Sequence, residues 1–520
     1  MKAKEKMKKT IYLIIFIGTL LTGCTSAPSL PSQYTELTQE ATIYPDYCNV
    51  TIPANIAPLN FLLKDSLAEA VVAEFKGAKG EPVIAGGNDL AVQIDTLAWR
   101  SLLQANRGEE IAVQVYAQHP EGWVRYKAHK LLVAEEDIDP YLSYRLIEPG
   151  YELYRQLGLY QRNLTNWDVH TIYENNRTFN NDHNHCINCH NFQNYSTQHM
   201  LFHVRANHGG TVIINGDKAE KVVIKDSTIL TSGVYPSWHP SHNWIAFSTN
   251  KTGQTFHLYS EERIEVIDEG SDLLFYDADK NEVRHILRTQ DEMETFPCWS
   301  PDGKMLYYCS AATPIIRELA DSLPKAQADS LSSMWYISHW DSLYYNVKRM
   351  SFDENTRTFG QPEMVVDAAS QHQSVSVPRI SPDGRYLLYT QGQYGQFHIW
   401  HKTSDLWVMD LQADTCYALT ETNSPDTDSY HTWSSNGRWI VFSSRRMDGN
   451  YTRPHIAYFD KSGQGHKAFC LPQEDPMHNV LLLKSYNVPE LTRDPVRVSL
   501  ETLRETVYCT EGKKAKTVTK

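Results

Sequence analysis

After its first 24 residues the chain has no run approaching ~18 consecutive apolar residues, so nothing in the body reads as a membrane-spanning helix. Basic residues are outnumbered, 49 Lys and Arg against 62 Asp and Glu, for a net charge of -13. No basic cluster is interleaved with aromatics, which argues against a nucleic-acid partner. G-x-S-x-G is missing, and with it a nucleophile-elbow hydrolase. H-E-x-x-H, the P-loop and G-x-G-x-x-G are missing too, which removes zincins, P-loop nucleotide hydrolases and dinucleotide-binding enzymes. Carboxylates are scattered through turn-like stretches, so no glycosidase pair stands out. Cysteines are few, 9 in 520 residues, and only one C-x-x-C occurs among them.

What is present begins with an export signal. Lys2, Lys4, Lys6, Lys8 and Lys9 form a basic start, and Ile11 to Leu21 is an apolar stretch too short to span a bilayer. It closes on Leu21-Thr22-Gly23-Cys24, which resembles a bacterial lipobox. The resemblance implies that residues 1–24 are a lipoprotein signal peptide and that Cys24 is lipidated, which ties the chain to a membrane. Residues 25–43 read as a linker without an acidic cluster, so the expected location is the cell envelope, on the outer membrane facing the periplasm.

The aromatic content and strand-like runs predict a mostly β protein. A unit recurs in the C-terminal half. Tyr235-Pro236-Ser237-Trp238-His239-Pro240 is followed by Trp244-Ile245-Ala246-Phe247. Phe296-Pro297-Cys298-Trp299-Ser300-Pro301-Asp302-Gly303 and Val377-Pro378-Arg379-Ile380-Ser381-Pro382-Asp383-Gly384 are each followed by a short apolar strand. The fourth copy is Thr432-Trp433-Ser434-Ser435-Asn436-Gly437. Each predicts a strand, a tight turn and a returning strand, with two further strands behind. Such four-stranded units cannot bury both faces alone and must stack radially as propeller blades. A fifth copy is expected around Met200 to Ile224, and the stretch 311–339 reads as a helical insertion. Residues 44–135 mix strand-like runs with one helix near 96–104 and predict a small β-sandwich. Residues 136–195 read as a connector, 196–488 as the propeller and 489–520 as a helical and disordered tail.

The connector contains Cys186-Ile187-Asn188-Cys189-His190. In an exported chain, C-x-x-C-H is the spacing of covalent haem c: two thiols take the vinyl groups and His190 stands under the iron. The motif is expected in a polar loop just before the first blade. His203 or Met200, on the strand that follows, is the candidate for the sixth ligand. Two other readings stay open: zinc held by Cys186, Cys189 and one or two of His183, His185 and His190, or a redox disulfide.

The W-S-P-D-G units resemble TolB-like propeller repeats, over about residues 196–485. The resemblance implies a propeller of six or seven blades preceded by the sandwich. Together with the C-x-x-C-H segment, the chain resembles bacterial lipoproteins that pair the two. The implied function is a membrane-anchored haem protein that transfers electrons, or senses redox state or a ligand, with an envelope protein as partner. The alternative is a non-enzymatic scaffold that binds an envelope protein or glycan, its C-x-x-C-H holding zinc or inert. An enzyme working at the haem or in the propeller's channel is a third class.

Overall fold

The computed structural model describes residues 28–148, 156–175, 184–258, 260–314, 316, 319 and 322–518. The signal segment with Cys24, and His183, lie outside the described residues. Six antiparallel sheets make up the larger part of the chain. The first orders Ser485–Thr492, Tyr141–Ile147, Gly158–Asn163 and Val169–Glu174. The second is His185–Gln193, Ser196–Ala206, Gly210–Asn215 and Lys218–Val223. The third is Gly233–Trp238, Trp244–Phe256, Ile264–Asp277 and Glu282–Leu287. Glu292–Trp299, Met305–Ala312 and Asn346–Asp353 lead the fourth, which ends on Thr358–Phe359 and Glu363–Val366. The fifth is Ser374–Ile380, Tyr386–Gly392, Asp405–Asp410 and Thr415–Ala418. The sixth is Asp428–Trp433, Trp439–Ser444, Arg453–Tyr458 and Phe469–Cys470.

The leading strand of each sheet packs against that of the next, and the sixth returns to the first, so the leading strands form a ring. Apolar side chains fill the gaps between neighbouring sheets. Leu159, Ile172 and Tyr173 meet Phe192, Met200 and Phe202 between the first and second. Trp244 and Phe275 meet Trp299, Met350 and Phe352 between the third and fourth. Faces buried on both sides explain why these strands read as apolar runs rather than as alternating ones.

The repeated turn is fixed locally. Ser300 Oγ donates to Asp302 Oδ1 (2.6 Å) and accepts from the Met305 N–H (2.9 Å), while Asp302 accepts from the Lys304 N–H. Ser381 with Asp383 and Ser434 with Asn436 repeat the pattern. The glycine that follows takes φ of 72°, 74° and 67° at positions 303, 384 and 437, which any side chain would strain.

Residues before the ring form a seven-stranded sheet, built around Glu110–His119, and a three-stranded one, Ile43–Tyr44, Phe61–Leu63 and Ala91–Val92. Helix Thr96–Ala105, N-capped by Asp95, drives Trp99 into their core. That core continues into Trp439, Val441 and Ile456 of the sixth sheet, and Asp139 accepts from Ser435 at both N–H and Oγ (2.6 Å each).

The ends of the chain differ from expectation. The stretch 136–195, expected as a connector, supplies three strands of the first sheet and the leading strand of the second. The stretch 489–520, expected as a tail, begins inside Ser485–Thr492, the strand that completes the first sheet. Helix Leu500–Cys509 forms as expected. Within the basic end, Lys513–Lys514 and Lys516–Thr517 add parallel strands to the second and third sheets. The helical insertion forms over Lys325–Ser338.

Candidate functional site

One residue on each leading strand has a positive φ: Cys189 (52°), Tyr235 (47°), Phe296 (50°), Val377 (53°), Tyr430 (49°) and Val488 (49°). At each the pairing register slips, the signature of a bulge. Proline follows in four sheets, as Pro236, Pro297, Pro378 and Pro489, where a broken ladder needs no donor. His190 and His431 stand in the other two. Cys186-Ile187-Asn188-Cys189-His190 is therefore the second sheet's copy of a segment repeated round the ring. The motif, expected in a loop, lies on an extended leading strand.

This placement decides what each motif residue touches. Cys186 is buried and its thiol is pushed up by desolvation. Cys189, partly buried, takes the ring position of Tyr235 and Tyr430. The His190 side chain, 1 % exposed, sits with Nε2 3.9 Å from the Glu490 carboxylate of the first sheet. Apart from the Val488 backbone its nitrogens have no hydrogen-bonding partner, and burial, aided by Arg145, lowers its pKa to about 3, so it is neutral. Its counterpart His431 likewise turns to the preceding sheet, with Nε2 3.1 Å from the Leu388 carbonyl. Met200 lies in the core between the first and second sheets. His203 points to the opposite face by strand alternation, with Nδ1 3.2 Å from Thr211 Oγ1. His185 is taken by the Tyr173 hydroxyl (2.8 Å).

A covalently attached porphyrin needs a flat open slot on the side its proximal histidine faces. The neutral imidazole of His190 suits iron, but that side is filled by the first sheet, and Cys186 is packed in a core. In this arrangement the residues do not fit the group. The two candidate sixth ligands, Met200 and His203, are also on opposite faces of their strand. All eight described cysteines are free thiols.

Among the described residues, His239, His242 and Glu354 form the one grouping whose ligand atoms all lie within 4.8 Å of one another. The hydrogen bonds of His239 oppose a metal there. Its Nδ1 accepts from the Ser241 N–H (3.3 Å), which leaves Nε2–H to donate to the Gly303 carbonyl (3.2 Å). That tautomer turns a hydrogen, not a lone pair, toward the cluster.

The cavity of the ring lies two residues beyond the bulges. Asn191, Ser237, Cys298, Arg379, Thr432 and Glu490, one from each sheet, line a space of about 440 Å³. The tryptophans that follow, Trp238, Trp299 and Trp433, edge it together with the W-S-P turns. They are held sheet to sheet: Trp238 N–H donates to Asn191 Oδ1, Trp299 N–H to Ser237 Oγ, and Trp433 Nε1 to the Arg379 carbonyl (3.1 Å each). Glu490 Oε1 accepts from Asn191 Nδ2 and the Phe192 N–H (3.1 Å each). Burial nevertheless raises its pKa to about 7. Arg493 and Asn194 complete the mouth.

At the other end of the ring the long hairpin Trp244–Phe256 and Ile264–Asp277 overruns the leading strands. There Asp268 accepts from Asn250 Nδ2 (3.1 Å) and the Tyr345 hydroxyl (3.2 Å), and Glu265 binds His401 Nε2 (2.9 Å) and the Tyr394 hydroxyl (2.8 Å). The arginine-rich stretch near residue 445 braces the fold. Arg446 pairs with buried Asp428 (2.8 Å), and Arg453 donates to the carbonyls of Asn479, Leu482 and Lys484.

Sequence reasoning missed Arg379 and Glu490 as site residues. Arg379 was accessible in principle, because it stands two places after the repeat's bulge, as Ser237 and Cys298 do. Glu490 was not, since its strand carries no recognisable turn.

No protein-family model matches the chain, and no curated protein matches it in sequence. Among solved structures it is similar to TolB from Acinetobacter baumannii, with 13% identity, 76% of this chain and 85% of that one covered, and a TM-score of 0.39. It is also similar to prolyl oligopeptidase B from Galerina marginata, at 10% identity over 64% of this chain and 44% of that one, TM-score 0.35. An oligogalacturonate lyase solved with manganese covers 76% of this chain and 99% of its own, at 12% identity and TM-score 0.27. The chain is mostly β, and TolB is among its structural neighbours.

Proposed function

We propose that the six sheets are the blades of a closed TolB-like β-propeller, and that the protein is a non-enzymatic binding scaffold of the cell envelope. The observation that carries this reading is the cavity at the ring's axis, to which each of the six sheets contributes at least one residue. Its size falls in the range of small-ligand sites. The two N-terminal sheets act as a sandwich-like companion braced on the sixth blade. The lipobox-like Cys24 is the proposed membrane anchor, with the body facing the periplasm and an envelope protein or glycan as partner.

A haem c electron carrier is the second reading. It is favoured by the spacing of Cys186, Cys189 and His190 and by the neutral state of the His190 imidazole. It requires the strand His185–Gln193 to leave its place in the ring. An absorption spectrum of protein made in cells able to attach haem separates the two. The scaffold reading expects colourless protein of unmodified peptide mass between residues 184 and 195. A Soret band that survives acid-acetone extraction and is lost in Cys186→Ser overturns it.

A further inference from the structure

We propose that the axial cavity binds a small ligand through an oxyanion, a carboxylate or a phosphate, held by the Arg379 guanidinium; this rests on the scaffold reading and names its ligand class. Arg379 lines the cavity, donates from Nη1 to the Pro378 carbonyl (3.0 Å) and lies against the Cys298 thiol. Arg493 at the mouth donates to the Asn194 carbonyl (3.0 Å). Among the described residues neither makes an ion pair with a carboxylate. Two guanidiniums therefore face one cavity, with planar donors left over that match a carboxylate or phosphate edge.

The remaining wall supplies neutral partners rather than competing charge. Ser237 accepts from the Trp299 N–H and keeps its hydroxyl hydrogen for a ligand, whereas Asn191, Thr432 and Ser435 are neutral but donate to Glu490, the Pro489 carbonyl and Asp139. The single acidic side chain of the lining is Glu490. Its carboxylate is turned onto the second sheet, where Asn191 and the Phe192 N–H hold it. His190 from the second sheet, Arg379 from the fifth and Tyr195 from the intervening loop are the other titratable or charged groups around it. Since His190 stays neutral, Glu490 is the group whose charge changes near neutrality, and its ionisation opposes an incoming anion. Anion binding should thus strengthen as pH falls from about 8 to about 6.

The test is calorimetric titration of the full chain with two probes, citrate and inorganic phosphate, at both pH values. Binding of citrate alone identifies a carboxylate ligand, binding of phosphate alone a phosphate, and binding of both the shared oxyanion. Arg379→Met should abolish it and Arg379→Lys restore part of it. Glu490→Gln should tighten binding severalfold at the higher pH and leave only the pH dependence of the probe's own ionisation. That gain cannot arise from misfolding. The proposal is overturned if neither probe binds at millimolar concentration, or if the Arg379 and Glu490 variants bind as the native chain does. In a colourless protein such a result leaves the scaffold reading standing with a neutral ligand, whereas a Soret band removes that reading itself.

Discussion

Glu294 illustrates how much a single buried side chain can impose. It is fully buried, accepts from Thr289 Oγ1 (2.6 Å) through Oε1, and leaves Oε2 without a partner. Burial, with Asp272 and Glu292 nearby, pushes its pKa up to about 8. The folded state therefore holds this proton more tightly than the unfolded state does. Its stabilising contribution is complete below the unfolded carboxyl pKa and is lost as pH climbs toward 8. Glu294→Gln should raise the melting temperature relative to the native chain by a few degrees at about pH 8 and by less at about pH 5. A melting series that shows the same offset at both pH values would contradict this assignment. At the same scale, C-x-x-C-H shows where residue reading stops. Its five letters match haem attachment, yet in the ring Cys189 stands for tyrosine, phenylalanine or valine and His190 for proline. The match to the repeat is invisible until backbone geometry reveals the shared bulge.

Elements were legible where their chemistry is local. The Ser-Pro-Asp-Gly turns could be read because one serine, one aspartate and one glycine within five residues determine the bend. Ser381→Ala removes two of its hydrogen bonds at once and should cost about 1–2 kcal/mol in chemical denaturation. Ser241→Ala should be near neutral, because that turn uses the Ser241 backbone N–H rather than its hydroxyl. Equal losses in the two variants would show that the turn network is not what stabilises the repeat. The first sheet was illegible for the opposite reason. Its connections use no such turn, and Arg145 meets Asn487, a partner 342 residues away. The basic segment after residue 512 was hidden as well, since lysines on an edge strand look like a solvated tail.

For the whole molecule, the ring depends on unequal ends. Removing residues 511–520 takes away two short parallel additions and should lower the melting temperature by only a few degrees. Removing everything after residue 484 strips the first sheet of its leading strand and should abolish a single cooperative transition, as followed by calorimetry. Retention of that transition would mean that the ring does not need its last strand.

The strand Ser485–Thr492 also sets the order of events during synthesis. Tyr141–Ile147 emerges hundreds of residues before its partner and must wait with one row of amides and carbonyls unclaimed. A growing chain is thus adhesive along that edge for most of its birth. Protection by a chaperone, or delay before release, matters for it more than for a protein whose neighbours follow one another off the ribosome.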